Sequence, residues 1–138
     1  MEKFDEMMRN FDLDYFGNGR HKMPFDKAIA LQRSGEAFIL DVRTRPENEL
    51  IFFGFATNIP TNEIPDRLDE IPMDKTVAIF CTSGNRATIV YAYLLNKGYK
   101  DVKVIANSIS DIAGTFKPGY VLSNYGAHDK DGSGDASK

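Results

Sequence analysis

Residues 77–86, VAIFCTSGNR, change character at their midpoint. Val77, Ala78, Ile79 and Phe80 form a short apolar run of the kind that buries as a strand, and residues 86–97, ending before Gly98, keep the apolar spacing of a helix. Between the two stand the chain's single cysteine, Cys81, and the small or polar residues Thr82, Ser83, Gly84 and Asn85, with the cation of Arg86 at the helix start. A lone cysteine in a folded chain is most often a small buried hydrophobe. The residues after Cys81 point elsewhere: they suit a cup rather than a core, placed at the carboxyl end of a strand, where α/β sheets bind ligands.

The alternation continues on both sides. Upstream, residues 25–34 read as a helix that opens after Pro24 and stops at Gly35, followed by the strand of Phe38, Ile39, Leu40 and Val42 with Asp41 set into it. Downstream, Gly98 ends the helix and Val102, Val104 and Ile105 supply a third strand. Between the first two strands lie a loop through Pro46, the apolar run LIFFGFATNIP, and a helix carrying Ile64, Leu68 and Ile71 that Pro72 closes. Strands alternating with helices predict an α/β domain, residues 23–125, with a mainly parallel β-sheet covered by helices on both faces. Residues 1–22 form an amphipathic helical extension whose Phe4, Met7, Met8, Phe11 and Tyr15 share one face and dock on the body, before the break at Gly17-Asn18-Gly19. Residues 126–138, GAHDKDGSGDASK, show no apolar period and are expected to be a disordered tail.

At 138 residues the chain is one ordinary domain, able to bury roughly two thirds of its unfolded surface without staples. Its 17 Lys plus Arg against 20 Asp plus Glu leave a formal net charge of -3, so nucleic acid is not expected as a partner. One cysteine makes no intramolecular disulfide, His21 and His128 lie far apart in sequence, and no Cys/His spacing suits zinc, so no metal is expected. No apolar run approaches the roughly 18 residues of a membrane span. The N-terminal MEKFDEMMRNFDLDYF carries acids among its apolar residues and is no signal peptide, so the default location is a reducing cytoplasm.

A loop that leaves a strand and winds directly into a helix turns successive backbone N–H groups toward one point, and the helix dipole adds positive potential there. Such a cup stabilises an anion, and a cysteine on its rim is thereby favoured as the nucleophilic thiolate. Gly84 allows a backbone conformation that a β-carbon would obstruct; Thr82, Ser83 and Asn85 add short-range donors, and Arg86 is expected to turn its charge toward the anion.

From residue 23 to residue 105 the sequence resembles the rhodanese-like sulfurtransferases: FILDVRT, then NIP at the family's spacing, then VAIFCTSGNRA with its cysteine-led loop, then LLNKGYKDVKVI. The resemblance implies a single rhodanese-like domain in which Cys81 carries sulfur as a persulfide and Thr82, Ser83, Gly84, Asn85 and Arg86 cradle it. Asp41 and Arg43 match the family's Asp-Val-Arg, which implies a charged pair supporting the loop. No cofactor is implied. The resemblance implies a donor such as thiosulfate or polysulfide, and because the chain has no second cysteine, an external thiol, cyanide or a protein is expected to accept the sulfur. Two stretches depart from the pattern. Ile51, Phe52, Phe53, Gly54, Phe55 and Ala56 stand where the family usually has Gly-His-Ile-x-Gly-Ala, and ANSISDIAGTFKPG follows the last strand in place of a glycine pair and an aromatic residue.

Two other functions fit parts of the pattern. A cysteine-dependent phosphatase or arsenate reductase also uses a cysteine, an N–H cradle and an arginine. Those phosphatases use Cys-x5-Arg, whereas four residues separate Cys81 from Arg86, a smaller cup better matched to one sulfur atom than to a tetrahedral phosphate. A non-catalytic binding module would need LIFFGF and the N-terminal helix as exposed partner surfaces rather than core; separately, a homodimer is a candidate assembly. Phe52, Phe53 and Phe55 read equally as core or as a wall of the Cys81 cup.

Overall fold

The computed structural model describes residues 2–131, and the side chains of residues 2–126. These fall into two compact units divided after Ser108.

The first unit holds a five-stranded sheet in the order β1-β5-β4-β2-β3: β1 is Lys22–Met23, β2 Ala37–Asp41, β3 Thr57–Asn58, β4 Thr76–Phe80 and β5 Val102–Ile105. Every pairing is parallel. The apolar run before Cys81 is therefore the central strand, and Val77, Ala78, Ile79 and Phe80 are all inaccessible to solvent. Successive side chains of a strand point to opposite faces, so burial of all four means that both faces of the sheet are covered.

On one face, Val77 and Ile79 of β4, Leu40 of β2, and Val102 and Val104 of β5 join the buried cluster that takes in Ala87, Val90, Tyr91 and Leu94 of α5 (Asn85–Asn96). Those four helical positions follow the i, i+3, i+4, i+7 rule of a single helix face. Cys81 belongs to the same cluster. On the other face, Phe80 meets Phe53 and Phe55, and Phe55 meets Phe25, the first residue of α3 (Phe25–Arg33). Gly98 ends α5 with φ 98°, a left-handed backbone that only glycine adopts cheaply.

Four local expectations change. The N-terminal segment is two helices, α1 (Glu2–Asn10) and α2 (Leu13–Gly17), because the Asp12 side chain accepts the Tyr15 N–H at 2.9 Å and starts a new helix. Its Phe11 and Tyr15 pack on the core cluster, Tyr15 hydroxyl to Tyr91 hydroxyl, while Phe4 and Met8 stay exposed. The loop through Pro46 contains a helix, α4 (Arg45–Leu50). The helix expected over Ile64, Leu68 and Ile71 is two 3-10 turns, Thr61–Asp66 and Leu68–Glu70, because Pro65 within the first has no N–H for an α-helical bond. Finally, β1 and β3 were not foreseen, since two residues show no period.

The second unit consists of α6 (Ile109–Thr115) and α7 (Pro118–Asp131), in which Phe116 and Tyr120 meet edge to face. The helical backbone of α7 runs through residues 126–131, where the sequence predicts a tail without regular structure, and the expected domain end at residue 125 falls inside this helix. Residues 132–138 of that tail lie outside the described residues. No helix among the described residues is long and apolar enough to cross a membrane.

Ile79 stands in the central strand with no exposed surface. Ile79→Ala should lower stability by about 2–5 kcal/mol through lost burial and the cavity left behind, seen as a fall in the urea midpoint at unchanged m-value.

Candidate functional site

Cys81 follows β4 directly, at the carboxyl end of the sheet, and its Sγ accepts the backbone N–H of Gly84 at 3.1 Å and of Ala87 at 3.4 Å. This convergence depends on Gly84. With φ at 101° it occupies the left-handed region, turns the chain into α5, and its carbonyl accepts the Thr88 N–H at 3.0 Å to open the helix. An added β-carbon would meet nothing within 4 Å, so glycine is required by the backbone conformation rather than by crowding. Cys81 is 3% exposed, whereas Thr82, Ser83 and Asn85 are exposed. The sulfur is the floor of a polar-rimmed cup at the amino end of α5, where the helix potential is positive.

Asp41 and Arg43 form a pair that is 1% exposed on each side. Arg43 donates Nε to Asp41 Oδ1 at 2.9 Å and Nη2 to Asp41 Oδ2 at 2.7 Å, then reaches the carbonyls of Glu47 at 3.3 Å and Ile51 at 2.8 Å. The Arg43 guanidinium lies 5.2 Å from the centre of the Phe53 ring and 5.8 Å from that of Phe80. One buried cation thus joins the end of β2 to the first turn of α4 and to the residue that caps its carboxyl end.

That segment brings in Glu47, which sequence reasoning missed. Thr44 caps α4 and Glu47 reaches back to the Thr44 N–H at 2.9 Å, completing a capping box with Pro46 in the first turn. The Thr-x-x-Glu signature with a proline was legible; what hid it was a six-residue helix with no buried face. Glu47 takes both terminal nitrogens of Arg86, Nη1 on Oε1 at 2.6 Å and Nη2 on Oε2 at 2.9 Å, and accepts the Thr82 hydroxyl at 3.1 Å. The Arg86 guanidinium, with the Thr44 and Thr82 bonds behind it, holds the Glu47 carboxyl far below the usual carboxylate range, and Glu47 in turn raises Arg86.

The structure therefore brings together Cys81, Thr82, Gly84 and Arg86, with Asp41 and Arg43 behind them. It differs from the sequence reading in one respect: the Arg86 charge, expected to face the loop's anion, is engaged by Glu47 because a capping-box carboxylate was already fixed within reach. Ser83 and Asn85 are exposed in the same loop. LIFFGF divides in two. Leu50, Ile51 and Phe52 are exposed, whereas Phe53 is buried and, with Phe55, packs on the sheet face opposite α5.

A strand-loop-helix cup with a cysteine at its floor, on a parallel five-stranded sheet, agrees with what comparison finds. Residues 25–115 match the model of the rhodanese-like domain, and the chain belongs to that family. It is 38% identical over 64 residues to a sulfurtransferase of Allochromatium vinosum, across 46% of this chain and 60% of that one. To the thiosulfate sulfurtransferase GlpE of Pseudomonas syringae it is 30% identical over 81 residues, 59% of this chain and 76% of the relative. Its fold is that of the human single-domain sulfurtransferase TSTD1, with a TM-score of 0.58 at 23% identity, covering 70% of this chain and 97% of that one.

Removing one member of the buried pair leaves an uncompensated charge. Asp41→Ala should cost about 3–5 kcal/mol in denaturant unfolding. It should also loosen residues 44–51 in hydrogen exchange, because Arg43 loses the partner that aims it at the Glu47 and Ile51 carbonyls.

Proposed function

We propose that this chain is a sulfurtransferase that moves sulfane sulfur through a Cys81 persulfide. The observation that carries the proposal is the pair of backbone N–H groups, from Gly84 and Ala87, directed at one sulfur atom at a helix amino end. Preorganised donors of this kind stabilise the Cys81 thiolate, and the positive potential of the same cradle suits the negative charge of the persulfide that forms on it.

In the loading half-reaction the Cys81 thiolate attacks the outer sulfur of the donor. A new S–S bond forms on Cys81, the donor's own bond to that sulfur breaks, and its electron pair leaves with sulfite from thiosulfate or with the shortened chain from polysulfide. In the second half-reaction a thiolate, cyanide or a protein nucleophile attacks the terminal sulfur, and the electron pair of the S–S bond returns to Cys81. Each half-reaction conserves charge and needs no cofactor. Since Cys81 is the chain's one cysteine, the acceptor is external. We place this activity in a reducing, cytoplasmic setting, with small sulfur compounds or proteins as partners.

Intact-mass measurement after incubation with a sulfane-sulfur donor tests the reading. The expected result is the gain of one sulfur atom, lost again with cyanide, and no gain in Cys81→Ser, whose hydroxyl neither ionises near neutrality nor holds a persulfide. Gly84→Ala should lower transfer on the order of tenfold, because a strained left-handed alanine shifts the N–H groups off the sulfur. Sulfur gain by the serine variant would refute Cys81 as the carrier.

A further inference from the structure

Each arginine between positions 43 and 86 stands in an ion pair: Arg43 with Asp41, Arg45 with Glu63, Arg67 with Glu63 and Glu70, and Arg86 with Glu47. The last pair matters most for the reaction, since Arg86 lies in the first turn of α5, directly before Ala87, whose N–H meets the Cys81 sulfur. Its guanidinium is satisfied on both terminal nitrogens by Glu47 and also donates to the Thr82 hydroxyl at 3.2 Å. The Glu47 carboxylate is itself fixed by the Thr44 N–H at 2.9 Å, the Thr44 hydroxyl at 2.8 Å and the Thr82 hydroxyl at 3.1 Å, so it cannot swing away without opening the cap of α4. Both side chains are about one-third exposed, 33% and 35%, which puts the pair at the rim of the cup, where a donor arrives.

From this geometry we propose that Glu47 sets donor choice by charge: by neutralising Arg86 it leaves the Cys81 loop, residues 81–86, without a free guanidinium, so the site selects singly charged sulfane-sulfur donors, such as small-molecule persulfides and hydropolysulfide, over dianionic thiosulfate. The inference rests on the sulfur-transfer reading above. A donor of charge two gains twice as much from an uncovered guanidinium as a donor of charge one and loses twice as much when it is covered, while the backbone N–H groups hold the attacking Cys81 sulfur in the same way for either. Glu47 acts through Arg86 and is a positioning residue, not a catalytic one.

Two donors with the same reacting bond and different charge provide the probe. Thiosulfate gives the Cys81 persulfide and sulfite; methanethiosulfonate, a monoanion, gives the same persulfide and methanesulfinate, and in both cases the thiolate's electron pair forms the new S–S bond as the old one breaks onto the leaving group. The quantity read is the ratio of kcat/KM for thiosulfate to that for methanethiosulfonate. Glu47→Gln should raise this ratio about tenfold, chiefly through KM for thiosulfate, as Arg86 becomes free to meet the dianion. Arg86→Gln, which uncovers the Glu47 carboxylate, should lower it by a similar factor. The double variant, whose pair is again neutral, should return the ratio to within about twofold of the parent. Should Glu47→Gln fail to fold, the parent alone still decides: a site without a free cation shows a ratio that does not fall as ionic strength is raised. Equal ratios in parent and both single variants, a double variant as poor as Arg86→Gln, or a parental ratio that collapses with salt would overturn the role of Glu47 while leaving sulfur transfer standing. A parent that loads sulfur from neither donor overturns both.

Discussion

The left-handed turn at Gly84 is the constraint on which the site depends. It lets the central strand β4 pass into α5 within four residues, and the amides of Gly84 and Ala87 then have the Cys81 sulfur as their common acceptor. The cysteine is at once a core residue and a reactive one. Its side chain belongs to the same cluster as Ile79, Val90 and Tyr91, which fixes it, while its sulfur accepts the two backbone N–H groups of Gly84 and Ala87. Rigidity comes from packing, and the polarity that suits an anion comes from backbone groups that the helix start leaves over.

A second layer links the cup to its wall. The buried Asp41–Arg43 pair holds α4 from beneath by binding carbonyls at Glu47 and Ile51, and Glu47 then grips Arg86 and Thr82 from the side. The pathway runs from the end of β2, through a guanidinium, into a capped six-residue helix and across to the loop after β4. A buried ion pair is weak evidence for net stability, since desolvation offsets most of its attraction. Here its geometry explains its presence: five N–H donors in a planar fork tie together segments that no apolar contact would orient as tightly.

The strands β2, β4 and β5 were legible as short apolar runs, and the helices α3 and α5 as apolar helical periods with a clear stop, Gly35 for the first and Gly98 for the second. Cys81 and its loop were legible for a different reason, a change from apolar strand to small polar residues at the carboxyl end of that strand. What escaped was built from few residues. β1 and β3 owe their existence to neighbouring strands rather than to their own sequence, and the turns over residues 61–70 were mistaken for one helix because the apolar spacing outweighed Pro65. Glu47 was overlooked because a capping box reveals where a helix begins, not that its carboxylate will meet an arginine 39 positions later. The three phenylalanines show the limit of composition: Phe53 is core, Phe52 is exposed, and one residue of offset decides between them.

The central claim, that Cys81 carries sulfur on a cradle of backbone N–H groups, is tested most directly by the amide resonances of the loop. Two-dimensional nitrogen–proton NMR spectra would be recorded before sulfur loading, after it, and after cyanide has removed the sulfur. The account predicts that the largest shifts fall on residues 82–87, led by Gly84 and Ala87, and that cyanide reverses them. Loading that leaves these amides in place while others move would contradict it.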